Sequence, residues 1–323
     1  MKLPIVAASI GDPAGIGPEV CVKAIASGEL QSLCHPLLIG DLDAVKQAAA
    51  ISKLAVPITR VDSAEGAAAV AKGIAVLDPG SLAAGSYSFG KASVASGNAV
   101  LEWISIGKEL GEKGRIQGMI MGPVDSDSIK MTGKVKDIDD LQPQDTYMLR
   151  ISGALRAVPL TEHIRFRDIL ATVTSENVLK VVQLLDQNLR RWGLPKPRIA
   201  VAALNCHALF EEDREILKPA VEKAKSLGID ARGPISPDSV FRMCIEGKHD
   251  AVVTMYHDQG QIAVKTAAFE GACTVYMGLP YVLLNVPHGS AFDIAGKGVA
   301  QHLSMLAAMR TAATLAGGRG LPQ

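Results

Sequence analysis

A chain of 323 residues exceeds what a single hydrophobic core ordinarily supports, so two lobes or one large α/β unit are expected. Basic and acidic residues balance at 33 each, leaving no overall field to hold nucleic acid or an anionic membrane; an anionic ligand must be gripped locally. Five scattered cysteines (Cys21, Cys34, Cys206, Cys244, Cys273) form no CxxC pair, which argues against a disulfide framework or a thiolate zinc site.

The chain opens on Ile5–Ile10, an apolar run closed by Gly11 that reads as a first buried strand rather than a secretory signal. No stretch approaches the roughly 18 apolar residues that cross a bilayer, so the expected location is the cytoplasm. Further strands are predicted at Pro36–Ile39, Gly118–Met121, Arg198–Ala203, Ala251–Met255 and Ala272–Met277. Helical patterns lie over Gly17–Ile25, Asp41–Ala50, Ser93–Glu112, Asn177–Trp192 and Glu211–Leu227. Such alternation predicts βαβ units and a mostly parallel sheet, with ligands beyond the carboxyl ends of the strands. The tail from Gly317 is expected to fray.

The first chemical signal is Gly11-Asp12-Pro13-Ala14-Gly15-Ile16-Gly17-Pro18-Glu19, between a strand and a helix. Amides exposed at a helix start can cradle an anion or let a cofactor approach closely, which makes Gly11, Asp12 and Gly15 candidates; a purely structural turn reads equally well. The segment is not GxGxxG and has no P-loop lysine. Three later segments set a histidine at or near a strand end: Thr161-Glu162-His163, Leu204-Asn205-Cys206-His207 and Met255-Tyr256-His257-Asp258-Gln259-Gly260, with Lys265 following. Gaps of 44 and 50 residues carry no local metal signature; only the fold can gather these imidazoles, and separate, satisfied histidines are the plain alternative. In Val286–Gly298, small residues beside His288 and Asp293 suit either an adenosine moiety or an ordinary helix approach.

Taken together, Gly-Asp-Pro-Ala-Gly-Ile-Gly-Pro-Glu, Gly233-Pro-Ile-Ser-Pro-Asp-Ser-Val-Phe241, Met-Tyr-His-Asp-Gln-Gly and His-Gly-Ser-Ala-Phe-Asp-Ile-Ala-Gly-Lys-Gly resemble the 4-hydroxythreonine-4-phosphate dehydrogenase family of pyridoxine biosynthesis. The resemblance runs from about residue 3 to 312, in the family's order. It implies a two-domain isocitrate/isopropylmalate dehydrogenase-like α/β fold, with residues 1–124 and 286–323 in one lobe and 125–285 in the other, and the active site in the cleft. It also implies a divalent metal such as zinc or magnesium on His163, His207 and His257, and NAD or NADP at His288, Gly289, Ser290, Ala291 and Asp293. Asp238 and Asp258 match acidic residues near the metal, Lys265 matches a substrate-binding lysine, and a homodimer completes each site with its partner subunit. The implied activity is oxidation of a small hydroxy acid, with decarboxylation if the product is a β-keto acid.

Several departures bear on the substrate. The family's Gly-His-Thr-Glu phosphate grip has no counterpart near Lys136–Gln142, Leu283 stands where an arginine is expected, and Pro123-Val-Asp-Ser replaces Pro-Ile-Asn-Lys. Lost charge-assisted contacts disfavour a phosphate dianion, so a dihydrodiol carboxylate or a sugar acid is the alternative substrate; Arg150, Arg165 and Arg167 are the residues able to compensate. A ligand-binding relic without turnover is the remaining alternative.

Overall fold

The computed structural model describes residues 2–267, 273–286 and 288–321. Ala272 and Pro287, which fall within segments singled out by sequence, lie outside the described residues. Internal packing divides the chain into two compact units, Met1–Gln144 with Leu279–Gly317, and Asp145–Gly278 with Gly318–Leu321. The breaks thus fall at 144 and 279, against the expected 124 and 286. Among the described residues no helix is long and apolar enough to cross a membrane.

Unit one begins with β1 (Ile5–Ser9), α1 (Gly17–Ala26), β2 (His35–Ile39), α2 (Leu42–Ile51) and β3 (Ile58–Val61). It continues through β4 (Ile74–Leu77), α3 (Val94–Glu112), β5 (Gly118–Met121) and α4 (Ser126–Met131). Unit two contains β6 (Tyr147–Ser152), β7 (Leu155–Pro159), α5 (Ile169–Thr172), α6 (Ser175–Arg191) and β8 (Arg198–Ala202). There follow α7 (Lys218–Ser226), β9 (Asp230–Ile235), α8 (Val240–Ile245), β10 (Ala251–Thr254), α9 (His257–Ala267) and β11 (Cys273–Met277). The chain then returns to unit one with β12 (Val282–Asn285) and α10 (Leu303–Ala316).

The six strands of unit one, in the order β3-β4-β2-β1-β5-β12, are all parallel. β1 and β5 are buried along their whole length, because a parallel sheet covered by helices leaves no solvent face for alternation. Helix starts follow capping chemistry: Asp41 accepts from the Ala44 amide at 2.7 Å, Ser93 from Ser96 at 3.0 Å and Asp125 from Ser128 at 2.8 Å. α1 carries Pro18 in its first turn, where the missing amide is not needed. Glu19 then fastens α1 to the returning segment, its buried carboxylate accepting from Lys23 Nζ and the Ala300 amide, both at 2.7 Å.

Unit two orders its strands β11-β6-β7-β10-β8-β9. β11, β6 and β7 pair antiparallel, whereas β7, β10, β8 and β9 pair parallel. The β6–β7 hairpin, absent from the sequence expectation, turns at Gly153, whose φ of +56° is open to glycine without strain. Val178, Val181, Val182, Leu185 and Leu189 give α6 its apolar stripe at helical spacing. Val264 of α9 joins Ala157, Ala200, Val252, Val240 and Cys244 in one buried cluster, which anchors that helix over the sheet. The tail is not frayed throughout: Gly320 donates to the Trp192 carbonyl at 2.7 Å, serving a group that the end of α6 leaves without a helical partner.

A β-carbon at Gly17 would lie 2.1 Å from the Ile10 carbonyl oxygen, so α1 starts where only glycine fits. Gly17→Ala is expected to cost about 3 kcal/mol of unfolding free energy, by forced displacement of backbone. Chemical denaturation measures it; a change under half a kilocalorie would show that this contact yields easily.

Candidate functional site

Because β7, β10, β8 and β9 run parallel, the loops leaving them emerge at one edge of the sheet. Those four loops or helix starts carry Glu162 and His163, His257 and Asp258, His207, and Asp238 respectively. Ligand atoms of Glu162, His163 and His257 all lie within 4.8 Å of one another, and the two imidazole centroids stand 5.2 Å apart. Strand neighbours in space thus join residues distant in sequence.

The His-Asp-Gln-Gly segment divides its work. His257 Nδ1 stands 2.7 Å from Asp258 Oδ1; the ionised carboxylate can only accept, so Nδ1–H donates and Nε2 is the nitrogen that bears no proton. Gln259 accepts from the Met255 amide at 2.8 Å and donates to the Ala203 carbonyl at 2.7 Å, closing the ends of β10 and β8 together. At Gly260 a β-carbon would meet Thr254 Oγ1 at 2.8 Å, so the start of α9 sits directly on its strand. Thr161 Oγ1 donates to the Met255 carbonyl at 3.1 Å, and the Leu160 amide to Thr254 at 2.7 Å, which ties the His163 loop to the same strand end.

Glu162 is the cluster member that sequence reasoning met only as the neighbour of His163. It is held by Arg150 of β6, whose two terminal nitrogens bond its two oxygens at 2.8 and 2.7 Å. Arg150 is buried, and the fork-on-carboxylate geometry fixes the Glu162 head group in two directions.

His207 is not a member of the three-residue cluster within one chain. It sits in a turn, Cys206–Ala208, where His207 and Ala208 both adopt left-handed backbone, at φ +56° and +54°. Each costs on the order of 1–2 kcal/mol for a residue with a β-carbon. The turn is held by buried Asp213, which accepts from the Leu204 amide at 2.8 Å and from Asn205 Nδ2 at 3.2 Å. The His207 amide donates to Ser236 Oγ at 3.2 Å, and that hydroxyl donates to Asp238 at 2.7 Å. His207 and Asp238 are therefore joined through Ser236. Lys265 is exposed, eight residues beyond His257 on α9, a rise of roughly 12 Å.

In unit one the glycine loop and the His288–Ala291 segment pack on each other. A β-carbon at Gly15 would meet Ser290 Cβ at 2.6 Å, and the Ile16 amide donates to the Ser290 carbonyl at 2.9 Å. Gly11, at φ +71°, faces the Pro123 carbonyl, where a β-carbon would stand at 2.3 Å. Protein packing alone therefore requires these glycines. Gly289 differs: it is exposed, and its nearest neighbour would be the Val124 carbonyl oxygen at 3.9 Å. Beside it, Ser290 Oγ and His288 Nε2 are buried with no hydrogen-bond partner among the described residues. Asp293 is exposed and lends its carbonyl to Lys297 Nζ at 2.7 Å. A cavity of about 480 Å³, which the sequence did not signal, opens nearby in the chain's own unit, lined by Asp41, Asp43, Gln47, Tyr87, Ser88 and Phe89.

A mostly parallel α/β chain with imidazole and carboxylate donors at its strand ends belongs to the class of α/β enzymes that work at a sheet's carboxyl edge. More particularly, the chain belongs to the PdxA family, described as pyridoxal phosphate biosynthetic protein PdxA, which matches residues 32–312. A Novosphingobium aromaticivorans protein named as a 4-hydroxythreonine-4-phosphate dehydrogenase is 40% identical over 99% of this chain and 97% of its own. The crystal structure of a 4-hydroxythreonine-4-phosphate dehydrogenase from Burkholderia phymatum is 31% identical with a TM-score of 0.87, covering both chains fully. A terephthalate 1,2-cis-dihydrodiol dehydrogenase from Burkholderia xenovorans is 30% identical with a TM-score of 0.75, covering 97% of this chain and 98% of that one.

Asp12 is buried, and burial pushes its carboxyl above the ordinary 3.8, with the nearby Asp125 charge adding to it. A raised native value means that the folded state binds the proton more tightly than the unfolded chain, so the penalty is absent below pH 3.8 and complete above the native value. The stability of Asp12→Asn relative to the parent is therefore expected to rise with pH through that window and then level off. Urea titrations at stepped pH test this, and a pH-independent difference would contradict it.

Proposed function

We propose that this chain is a divalent-metal- and NAD(P)-dependent dehydrogenase that oxidises the CH–OH group of a hydroxy acid, as its 4-hydroxythreonine-4-phosphate dehydrogenase relatives are named to do. The observation that carries this reading is the Glu162, His163 and His257 cluster at the strand ends of a PdxA-family chain. Two imidazoles and a carboxylate with mutually close donor atoms suit zinc or a similar divalent ion, so the donor set fits the group. For the dinucleotide, the fit is carried by Ser290 Oγ and His288 Nε2, two buried polar atoms without partners beside the open face of Gly289.

A bound divalent ion supplies Lewis-acid polarisation of the substrate hydroxyl and carboxylate, while the nicotinamide takes the hydride. His163 and His257 would hold the ion within one chain, the partner subunit's His207 would complete it as the third imidazole, and Asp258 would keep the His257 ring oriented. Lys265 would orient the substrate anion or relay a proton, and Asp238 would stand as an acidic group near the metal. Oxidation β to a carboxylate leaves a β-keto acid, and decarboxylation is then part of the reaction. Gly289, Ser290 and His288 meet the dinucleotide, with Gly11, Asp12 and Gly15 forming the floor beneath and Ala291 and Asp293 its edge. The cavity at Tyr87 and Phe89 shares those rings and Ala44 with a narrow crevice beside Gly15. We assign the adenosine ribose to it; Asp41 and Asp43 disfavour a 2′-phosphate, so NAD is expected over NADP.

A specific observation favours an unphosphorylated substrate as the second reading. Both terminal nitrogens of Arg150, one of three arginines able to replace lost phosphate contacts, are already bonded to Glu162, and Leu283 is wholly buried inside β12. A dihydrodiol carboxylate or sugar acid suits such a pocket, in line with the name of the Burkholderia xenovorans relative.

A homodimer is proposed on exposed apolar surface. Phe166 is 78% exposed, and Leu170, Leu209, Phe210 and Ile262 are also open, all on elements that carry or follow the three histidines. Such apolar exposure near a polar site marks a surface that a second copy covers. Sedimentation is expected to give a dimer, and Phe166→Glu a monomer; a monomeric parent protein would remove the proposal.

Purified protein with zinc or magnesium and NAD is expected to reduce the cofactor on a panel of hydroxy acids, with His163→Ala and His257→Ala losing more than about 100-fold in kcat/KM. Turnover confined to phosphorylated threonine analogues would exclude the second reading. Dinucleotide binding without any turnover or metal dependence would overturn the proposed function in favour of a ligand-binding relic.

A further inference from the structure

The Arg150–Glu162 pair has a use beyond holding a loop. We propose that Glu162 is itself a ligand of the cation, so that the in-chain site is two imidazoles and one carboxylate, and that Arg150 is its positioning residue. This rests on the metal site proposed above.

The geometry argues first. Donor atoms about 2.1 Å from a shared ion lie roughly 3–4.2 Å apart in tetrahedral or octahedral arrangement. Those of Glu162, His163 and His257 already fall within 4.8 Å of one another, whereas those of His207 do not join them. Small side-chain adjustment closes the set without moving a strand.

The second argument concerns lone pairs. Arg150 takes one edge of the carboxylate, bonding each oxygen once at 2.8 and 2.7 Å. A carboxylate oxygen accepts along two directions, so each retains one that the guanidinium does not use. Glu162 is also not needed to orient the His257 ring, because Asp258 already holds its Nδ1 at 2.7 Å. Among the described residues the carboxylate is therefore a firmly held donor, partly exposed at 20% of its side chain, facing company that a cation explains.

The third argument is charge. Three neutral imidazoles leave a divalent ion its whole charge; a carboxylate ligand removes part of it and brings Arg150, a permanent cation, into the second layer. The guanidinium draws electron density from Glu162, which keeps that bond weak and lets a substrate oxygen compete for the ion. The donor set is that of sites built for zinc, manganese, iron(II) or cobalt(II), with oxygen sharing the work of nitrogen.

The full-length protein titrated with cobalt(II) tests this, reading the dissociation constant and the visible ligand-field absorption, neither of which depends on turnover. Glu162→Gln is expected to weaken cobalt binding at least tenfold and to change the band pattern. Glu162→Asp keeps the charge but shortens its reach, and is expected to shift the spectrum with a smaller loss of affinity; it serves if the glutamine variant fails to fold by circular dichroism. Parent-like affinity and spectrum in either folded variant would overturn the assignment of Glu162 as a ligand, leaving the histidine reading intact. Absence of cobalt binding by the parent protein would overturn the metal site itself and this inference with it.

Discussion

Strand polarity is the constraint on which the rest of this molecule hangs. Parallel strands must pass the chain on at the same edge, so β7, β10, β8 and β9 deliver four polar loops to one side of unit two. The edge also leaves backbone groups without ladder partners. Gln259 answers two of them at once, the Met255 amide and the Ala203 carbonyl, and in doing so fixes where α9 begins. His257 is the first residue of that helix. Closing the sheet and aiming the imidazole are therefore one event.

Unit one solves a different problem with the same economy. Its glycines at 11, 15 and 17 are required by the Pro123, Ser290 and Ile10 backbone or side-chain atoms they face. Close approach brings the first loop and the returning His288–Ala291 segment together, and leaves Ser290 Oγ and His288 Nε2 buried without partners among the described residues. A buried polar atom left unmatched costs about 1–3 kcal/mol, which the dinucleotide proposed above would recover with its hydroxyls or phosphate oxygens. Here packing prepares a polar surface that the protein itself does not complete.

Much of this was legible in the sequence, for reasons that can be named. β1, β2, β5, β8, β10 and β11 are buried apolar runs closed by glycine, aspartate or a polar residue, and their predicted bounds hold to within about a residue. The hairpin β6–β7 was not legible because Arg150 and Arg156 interrupt its apolar run, and both arginines find partners only in three dimensions. β9 is the outermost strand of its unit's sheet, where Asp230 and Arg232 are tolerated, so it lacks a core strand's signature. β3 and β4 are four residues each, too short for a period to show. Within the site, position at a strand end flagged His163, His207 and His257, but nothing local says which imidazoles meet. Glu162 had no signal at all, since a glutamate in a polar loop looks the same whether water or a buried guanidinium receives it.

Two local rules are broken in unit two, and both breaks adjoin the same edge. Arg150 is a buried charge, which a protein tolerates only when an anion meets it. That anion is supplied from within the chain by Glu162, so the guanidinium is committed before any substrate arrives. His207 and Ala208 hold successive left-handed conformations, a strain that persists only because Asp213, Asn205 and Ser236 over-determine the turn. Strain at one histidine and a captive glutamate beside the other two thus fall together at the edge where the metal site is proposed, which is where backbone strain and buried ion pairs tend to gather when they serve a function.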